Sequence, residues 1–230
     1  FDTILGGAGI ESYSLSRFDM RFDSFDPEHY RDYAKLNRYL ISALAVTYNV
    51  QNCYDSRNLF SQKQLSVAIK NKRFECENYD KEAESGGRDP AYARLELRSK
   101  CLTSNDIEKQ FHGWYIRLDK ALKNLDKVHQ RYNDELEKIY KEEKDAFPVK
   151  FRSLTYFLIQ YQNCIFCKAQ MIDLLSRFDE VKNPETRAKN HKKRYGIEYF
   201  SKMDVEYAVA EIKRAAEKFF EGTEMNLFEK

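Results

Sequence analysis

Three short segments hold the residues that could do chemistry, and all three alternate. SRFDMRFD (16–23) sets Arg17, Asp19, Arg21 and Asp23 against Phe18, Met20 and Phe22. RFECENYDK (73–81) sets Arg73, Glu75, Glu77, Tyr79 and Lys81 against Phe74 and Cys76. YARLELRSK (92–100) sets Tyr92, Arg94, Glu96 and Arg98 against Ala93, Leu95 and Leu97. Period-two alternation is the mark of a half-buried strand, so each segment would show its charges on one face. If the three pair in one sheet, carboxylates, guanidinium groups and a phenol share that face. Carboxylates on neighbouring strands can share a hard divalent cation; Mg²⁺ takes one or two of them together with substrate phosphate oxygens. Lys and Arg hold phosphates, and a phenol oxygen beside a metal can attack a phosphodiester. The parts of a tyrosine transesterase are present. Periodicity does not single that chemistry out, because acids and bases on an exposed sheet face also pair as ordinary cross-strand salt bridges. On pattern alone the salt-bridged surface is the plainer reading.

The elements that would position these residues can be read around them. Asp26-Pro27 is an N-cap followed by proline at the first helical position, and Tyr30, Tyr33, Leu36, Leu40, Ile41 and Leu44 form the stripe of the helix it opens. Leu65, Val67 and Ile69 share one face of LSVAIK, and the parity flips across Lys70–Arg73, which predicts a hairpin turn around Asn71. ESGGRDP (84–90) reads as a loop. Residues 1–102 thus predict an α+β unit, β-α-β-β-β, a small antiparallel sheet covered on one side by a helix. Residues 103–230 predict an all-helical region. Ile107, Phe111, Trp114, Leu118, Leu122, Leu125, Val128, Tyr132, Leu136 and Ile139 follow steps of three and four. They predict one long helix from Ser104 to Phe147, with Gly113 its weak point and Pro148 its end. The stretch 150–177 predicts a central helix, apolar nearly all round, against which the long helix packs. VKNPETRAKNHKKRYG (181–196) reads as a basic connector, and Asp204 as the cap of a last helix running to about Phe220.

Composition narrows the classes. A 230-residue chain suits one or two domains, and a 33% charged, 42% hydrophobic composition excludes gross disorder. The net charge of +2 excludes a globally basic nucleic-acid binder, so any such patch is local. The best one is the connector, with Lys182, Arg187, Lys189, Lys192, Lys193 and Arg194. Five scattered cysteines, an odd number, point to a reducing compartment and a cytoplasmic protein. Cys164 and Cys167 form a CxxC inside an apolar run without a second pair, which predicts buried helix residues rather than a zinc site. That run, 154–175, is interrupted by Gln160, Gln162, Asn163 and Lys168, so no membrane span is expected, and no signal peptide is visible.

The ordered trio resembles the catalytic core of rolling-circle replication initiators. The types in question are those of small Gram-positive plasmids and their conjugative-element relatives, and the filamentous-phage gene II type. The likeness covers about residues 12–101. It rests on an R-x-D-x-x-x-D strand (Arg17, Asp19, Asp23), a Y-[DN]-K strand (Tyr79, Asp80, Lys81) and an R-x-E strand (Arg94, Glu96). The resemblance implies a nicking-closing enzyme in which Tyr79 attacks the scissile phosphate, leaving a 5′-phosphotyrosine and a free 3′-OH. It implies Mg²⁺ or Mn²⁺ on Asp19 and Glu96 with Asp23 as a third ligand, and phosphate contacts from Arg17, Lys81 and Arg94. It also implies that the helical region helps to recognise origin DNA, single- or double-stranded; the basic connector, with Lys189, Lys192, Lys193 and Arg194, then reads as its phosphate contact, the alternative being a solvated loop. A homodimer through the long helix and a host helicase or polymerase are further partners it suggests. There is no H-x-H pair, since His29, His112, His129 and His191 are isolated, so the metal would rest on carboxylates. Family members carry a substantial segment before the R-x-D strand, so a shortened or N-terminally incomplete chain is also expected. Two other readings stand beside nicking: a noncatalytic DNA-binding initiator or regulator, and a helical interaction protein whose sheet face is only charged surface.

Overall fold

The computed structural model describes residues 16–24, 30–50, 67–90, 92–100, 102, 107–144, 153–196 and 199–228. The N-terminal half is the expected α+β arrangement. Strands β1 (Arg17–Ser24), β2 (Val67–Lys70), β3 (Phe74–Asp80) and β4 (Ala93–Lys100) form one antiparallel sheet in the order β1-β4-β3-β2. The hairpin between β2 and β3 turns where the parity flips. Asn71 closes it, its side-chain oxygen accepting from the backbone N–H groups of Arg73 and Phe74, both at 2.8 Å. The start of the covering helix and the Asp26-Pro27 cap lie outside the described residues. From Tyr30 to Tyr48 that helix, α1, is regular.

Each strand buries its hydrocarbon. Met20, Ile69, Phe74, Cys76, Leu95 and Leu97 line one face of the sheet and meet Leu36, Leu40, Ile41 and Leu44 of α1. Asn78 and Ser99 are buried polar residues on that face. Asn78 donates to the Ala34 carbonyl of α1 at 3.3 Å and accepts from Asn37 at 3.1 Å, which fixes where α1 crosses β3. The other side of α1 is covered by helices of the second half, so α1 is the middle layer and one hydrophobic core runs through both halves.

The helical half is more broken than its periodicity predicts. The long helix is two, α3 (Ile107–Leu122) and α4 (Leu125–Glu143), and the interruption falls at Lys123–Asn124 rather than at Gly113. Asn124 donates through its side chain to Thr47 of α1 and to the Lys120 carbonyl, so a side-chain–backbone bond competes with the helix there. Gly113 stays helical, and a Cβ there would come within 3.3 Å of the Arg117 guanidinium. The central apolar helix is also two, α5 (Leu154–Gln160) and α6 (Lys168–Ser176), with a 3₁₀ turn at Gln162–Cys164 between them; a short helix, α2 (Lys81–Ser85), lies earlier in the chain. Buried Gln170 satisfies the backbone groups that this break frees: it accepts from Phe166 N–H at 2.7 Å and donates to the Cys164 carbonyl at 2.8 Å. α4 packs along α6 as expected.

The basic connector is a helix, α7 (Pro184–Tyr195). Asn183 caps it, Pro184 begins it, Lys192, Lys193 and Arg194 occupy its last turn, and Gly196 ends it in the left-handed conformation at φ 62°. The last helix, α8 (Lys202–Phe228), starts with a reciprocal cap. Ser201 and Asp204 exchange side-chain-to-backbone hydrogen bonds, so Ser201 is the cap and Asp204 its partner. No helix among the described residues is long and apolar enough to cross a membrane.

Candidate functional site

On the sheet face away from α1 the register sets the charged residues in rows. Asp19, Arg98, Glu75 and Lys70 stand opposite one another across β1, β4, β3 and β2. Next come Arg21, Glu96 and Glu77, then Asp23, Arg94 and Tyr79. Acids face bases in these rows except where Glu77 stands opposite Glu96, and a second like-charge pair, Arg17 opposite Lys100, lies at the far end of β1.

Arg98 answers that repulsion. Its guanidinium bonds Glu75 at 3.1 Å and Glu77 at 3.0 Å, pairs with Glu96, and lies 3.8 Å from Asp19. Glu96 is the most deeply placed carboxylate on the face, with its side chain 3% exposed. One of its oxygens accepts the Tyr79 hydroxyl at 2.9 Å and lies 3.5 Å from Arg21; the other meets Arg98. Tyr79 and Glu96 are diagonal in the register, a separation that a phenol and a glutamate can span together.

Arg94 grips Asp23 through two parallel hydrogen bonds of 2.7 Å and reaches the Tyr92 hydroxyl at 3.0 Å. The hydrogen bond to Asp23 is the chief reason that the Arg94 guanidinium holds its proton more tightly than usual, and contact with Tyr79 adds to it. Burial pushes the Glu75 carboxyl up, but hydrogen bonds from Lys70 and Lys100 together outweigh burial and leave it below its ordinary value.

The structure brings Arg17, Asp19, Asp23, Tyr79, Arg94 and Glu96 onto one face, as the alternation predicts. Lys81 is displaced from the strand position it was expected to hold. β3 ends at Asp80, whose side chain caps α2 (Lys81–Ser85) by accepting from Glu82 N–H at 3.0 Å. Lys81 stands at the start of that short helix, 5.9 Å from the centre of the Tyr79 ring and 3.7 Å from Asp89. Tyr92, expected outward, is buried. Arg21, Glu77 and Arg98 belong to the site as well. The alternation shows their face, but not that Arg98 would join four carboxylates.

The three carboxylates assigned to a metal do not converge. Asp19 is taken by Arg17, whose Nε donates at 2.7 and 2.9 Å, Asp23 is taken by Arg94, and Arg98 stands between Asp19 and Glu96. Among the described residues no three His, Cys, Asp or Glu side chains are grouped to hold a metal ion. A cation shared by Asp19 and Glu96 would need the Arg98 guanidinium turned away from between them.

Lys189, Lys192, Lys193 and Arg194 stand apart on α7, exposed together with Arg187, while Ala188 and His191 turn inward. α7 packs on α6. The CxxC cysteines are buried and form no disulfide, but they flank the α5–α6 break instead of lying within a helix. Cys167 Sγ caps α6 and sits 3.4 Å from His129 Nε2, which also meets the Tyr39 hydroxyl at 2.5 Å. Burial pushes the Cys167 thiol up and the His129 imidazole down, which keeps both neutral and disfavours a thiolate–imidazolium pair. Comparison with protein-family models, curated proteins and solved structures gives no match to this chain.

Proposed function

We propose that the protein nicks and rejoins one strand of DNA by transesterification through Tyr79, as a replication initiator of the rolling-circle type. The observation that carries this reading is the Tyr79 hydroxyl donating to Glu96 at 2.9 Å, with Arg94, Arg21 and Lys81 around it. A phenol already bonded to a carboxylate has its proton acceptor in place. Glu96 takes the phenol proton as Tyr79 Oη bonds to phosphorus. The bond from phosphorus to the 3′ oxygen breaks, and that oxygen leaves as a hydroxyl with the proton from Glu96. Rejoining reverses each step. Arg94 and Lys81 face the non-bridging oxygens, where charge gathers in the transition state. A Mg²⁺ or Mn²⁺ requirement is what the family resemblance implies.

The test is a covalent adduct. Single-stranded oligonucleotides tiled across the DNA that flanks the reading frame are incubated with the protein, with and without Mn²⁺, and resolved under denaturing conditions. A denaturant-stable adduct that disappears in Tyr79→Phe and forms about 100-fold more slowly in Glu96→Gln is the expected result. An adduct that survives Tyr79→Phe would sink the assignment. A binding-only initiator is the second reading, favoured by Arg98 and Arg17 occupying the carboxylates that a metal would need. It expects origin DNA to bind with no adduct under any condition.

A further inference from the structure

The charged face is not uniform along its strands. At the Tyr79 end Arg94 is committed to Asp23 and Lys81 lies by Asp89, and Asp80 and Glu82 add two further acids. At the other end Arg17 stands opposite Lys100, Lys70 stands opposite Glu75, and the turn joining β2 to β3 adds Lys72 and Arg73. Five cations there meet only two carboxylates, Asp19 and Glu75. Lys72 and Arg73 are exposed, and among the described residues neither has a carboxylate in ion-pair reach. Arg17 keeps 54% of its side chain exposed although it bonds Asp19.

We infer that this end of the sheet is a second phosphate-binding subsite, which holds a single nucleic-acid strand that leaves Tyr79 along β3 toward the β2–β3 turn. The inference rests on the nucleic-acid reading of the face and on a phosphate lying at Tyr79, not on a covalent step there. Direction follows from charge: a polyanion is repelled by Asp80, Glu82 and Asp89 and drawn toward Arg17, Lys70, Lys72, Arg73 and Lys100. Length follows from the strand. Six residues separate Tyr79 from Arg73, about 20 Å at the usual rise, which a stacked nucleic-acid strand covers in about six nucleotides. A single strand is the occupant because the Tyr79 hydroxyl lies within the face, bonded to the nearly buried Glu96, so its phosphate must lie flat on the sheet. Lys70 and Lys100 also hold Glu75, so part of this cationic end is fixed before any ligand arrives.

The experiment reads the salt dependence of binding by fluorescence anisotropy, using a labelled single-stranded DNA of about 12 nucleotides, long enough to pass beyond Tyr79. The combined variant Arg17→Gln, Lys72→Gln, Arg73→Gln changes exposed side chains and leaves the ion pairs of Glu75 intact. It should lower the slope of log affinity against log salt by about 2, since each neutralised phosphate of a single strand contributes roughly 0.7. The control Lys120→Gln, Lys123→Gln, Lys127→Gln removes equal charge from exposed positions on α3, α4 and their junction and should leave the slope unchanged. An unchanged slope in the first variant, an equal fall in the control, or tighter binding of a duplex of the same length each overturns the inference. Failure of the parent protein to bind any DNA overturns it together with the nucleic-acid reading. If the slope falls but Tyr79 forms no adduct, the subsite stands and the nicking chemistry falls.

Discussion

The two cationic regions of this protein are built on opposite plans. On the sheet, Arg94 and Arg98 are mostly covered and each is locked to carboxylates across the strands. On α7, Arg187, Lys189, Lys192, Lys193 and Arg194 are exposed around a helix that turns only Ala188 and His191 fully inward, with Arg187 also reaching Thr155. The sheet charges are held in position with little solvent between them, so their geometry is fixed and their removal is strongly destabilising. The α7 charges are solvated and screened, so they act through number and position on a partner rather than through stability. The difference assigns tasks. A fixed, compensated face suits the orientation of one reacting group, whereas a loose cationic ridge suits attraction of a polyanion.

Removal of Arg98 is expected to have the largest effect. Arg98→Met leaves Glu75, Glu77 and Glu96 close together with no guanidinium among them. Losing one partner of a covered ion pair typically costs about 3 kcal/mol or more. A urea titration should show a loss of about that size. A loss no larger than that of an exposed surface substitution would mean that the face is solvated decoration, and the contrast with α7 would vanish. If the variant still folds, it also opens the space between Asp19 and Glu96, and Mn²⁺ should then raise its midpoint more than it raises that of the parent.

Acid titration separates the buried histidines of the helical half from the carboxylates, Glu75 on the sheet and Glu137 on α4. His129 and His191 in the helical half both have depressed pKa values, chiefly because burial disfavours the charged ring; near His129, Asp126 and Asp173 oppose the shift while Lys202 adds to it, and Arg187 adds to that of His191. A depressed histidine binds its proton more readily when unfolded. Its contribution is therefore complete above the ordinary value of 6.5 and is lost as pH falls from there through the folded value. Glu75 on the sheet is depressed from 4.5, so its contribution persists below the histidine window and is lost only as pH falls from 4.5 through the folded value. Denaturant midpoints followed against pH should fall in two stages. His129→Gln with His191→Gln should flatten the first stage, and Lys70→Gln with Lys100→Gln the second. A single stage that responds to neither pair would show that the histidines and the carboxylates do not differ in this way.

What could be read in advance follows from which interactions are local. Alternation placed Arg17, Asp19, Tyr79, Arg94 and Glu96 on one face because strand parity needs no knowledge of the partner strand. It could not show that Arg98 would stand between Asp19 and Glu96, because that depends on how β1, β4 and β3 slide against one another. The breaks at Asn124 and at Cys164–Cys167 escaped for a related reason. Heptad-like spacing continues across the first and apolar residues continue across the second, and the groups that favour the breaks, Thr47 and the side chain of Gln170, act through folded contacts. α7 is different, because every signal was local: Asn183, then Pro184, a basic last turn and Gly196. Its polarity concealed them, since only Ala188 and His191 face inward and no apolar stripe marks the helix.

That cap gives the next smaller test. Asn183 accepts from Thr186 N–H at 3.0 Å, and Asn183→Ala should cost about 1 kcal/mol by leaving a first-turn donor to water. Because α7 is thinly anchored, the effect should be concentrated there, seen as faster amide exchange in residues 186–195 while β3 and β4 keep their protection. Equal acceleration across the sheet would show that α7 and the sheet open as one unit.

The smallest effect on stability is expected where the effect on binding is large. Replacing Lys192, Lys193 and Arg194 with Gln removes three exposed cations from the last turn of α7. Their favourable interaction with the helix C-terminus is weak and screened, so unfolding free energy should change by no more than about 1 kcal/mol. If α7 is the ridge that gathers DNA, duplex affinity should weaken about uniformly across sequences. Its salt slope should fall by about 0.9 for each phosphate that the helix no longer neutralises. The Tyr79 adduct, measured at saturating oligonucleotide, should form at the parent rate because no sheet residue has been touched. A variant that binds duplex as the parent does would leave α7 a solvated helix, and all DNA contact would then fall to the sheet. A variant whose adduct formation is slowed at saturation would instead tie α7 to the face, and the two plans would be parts of one site.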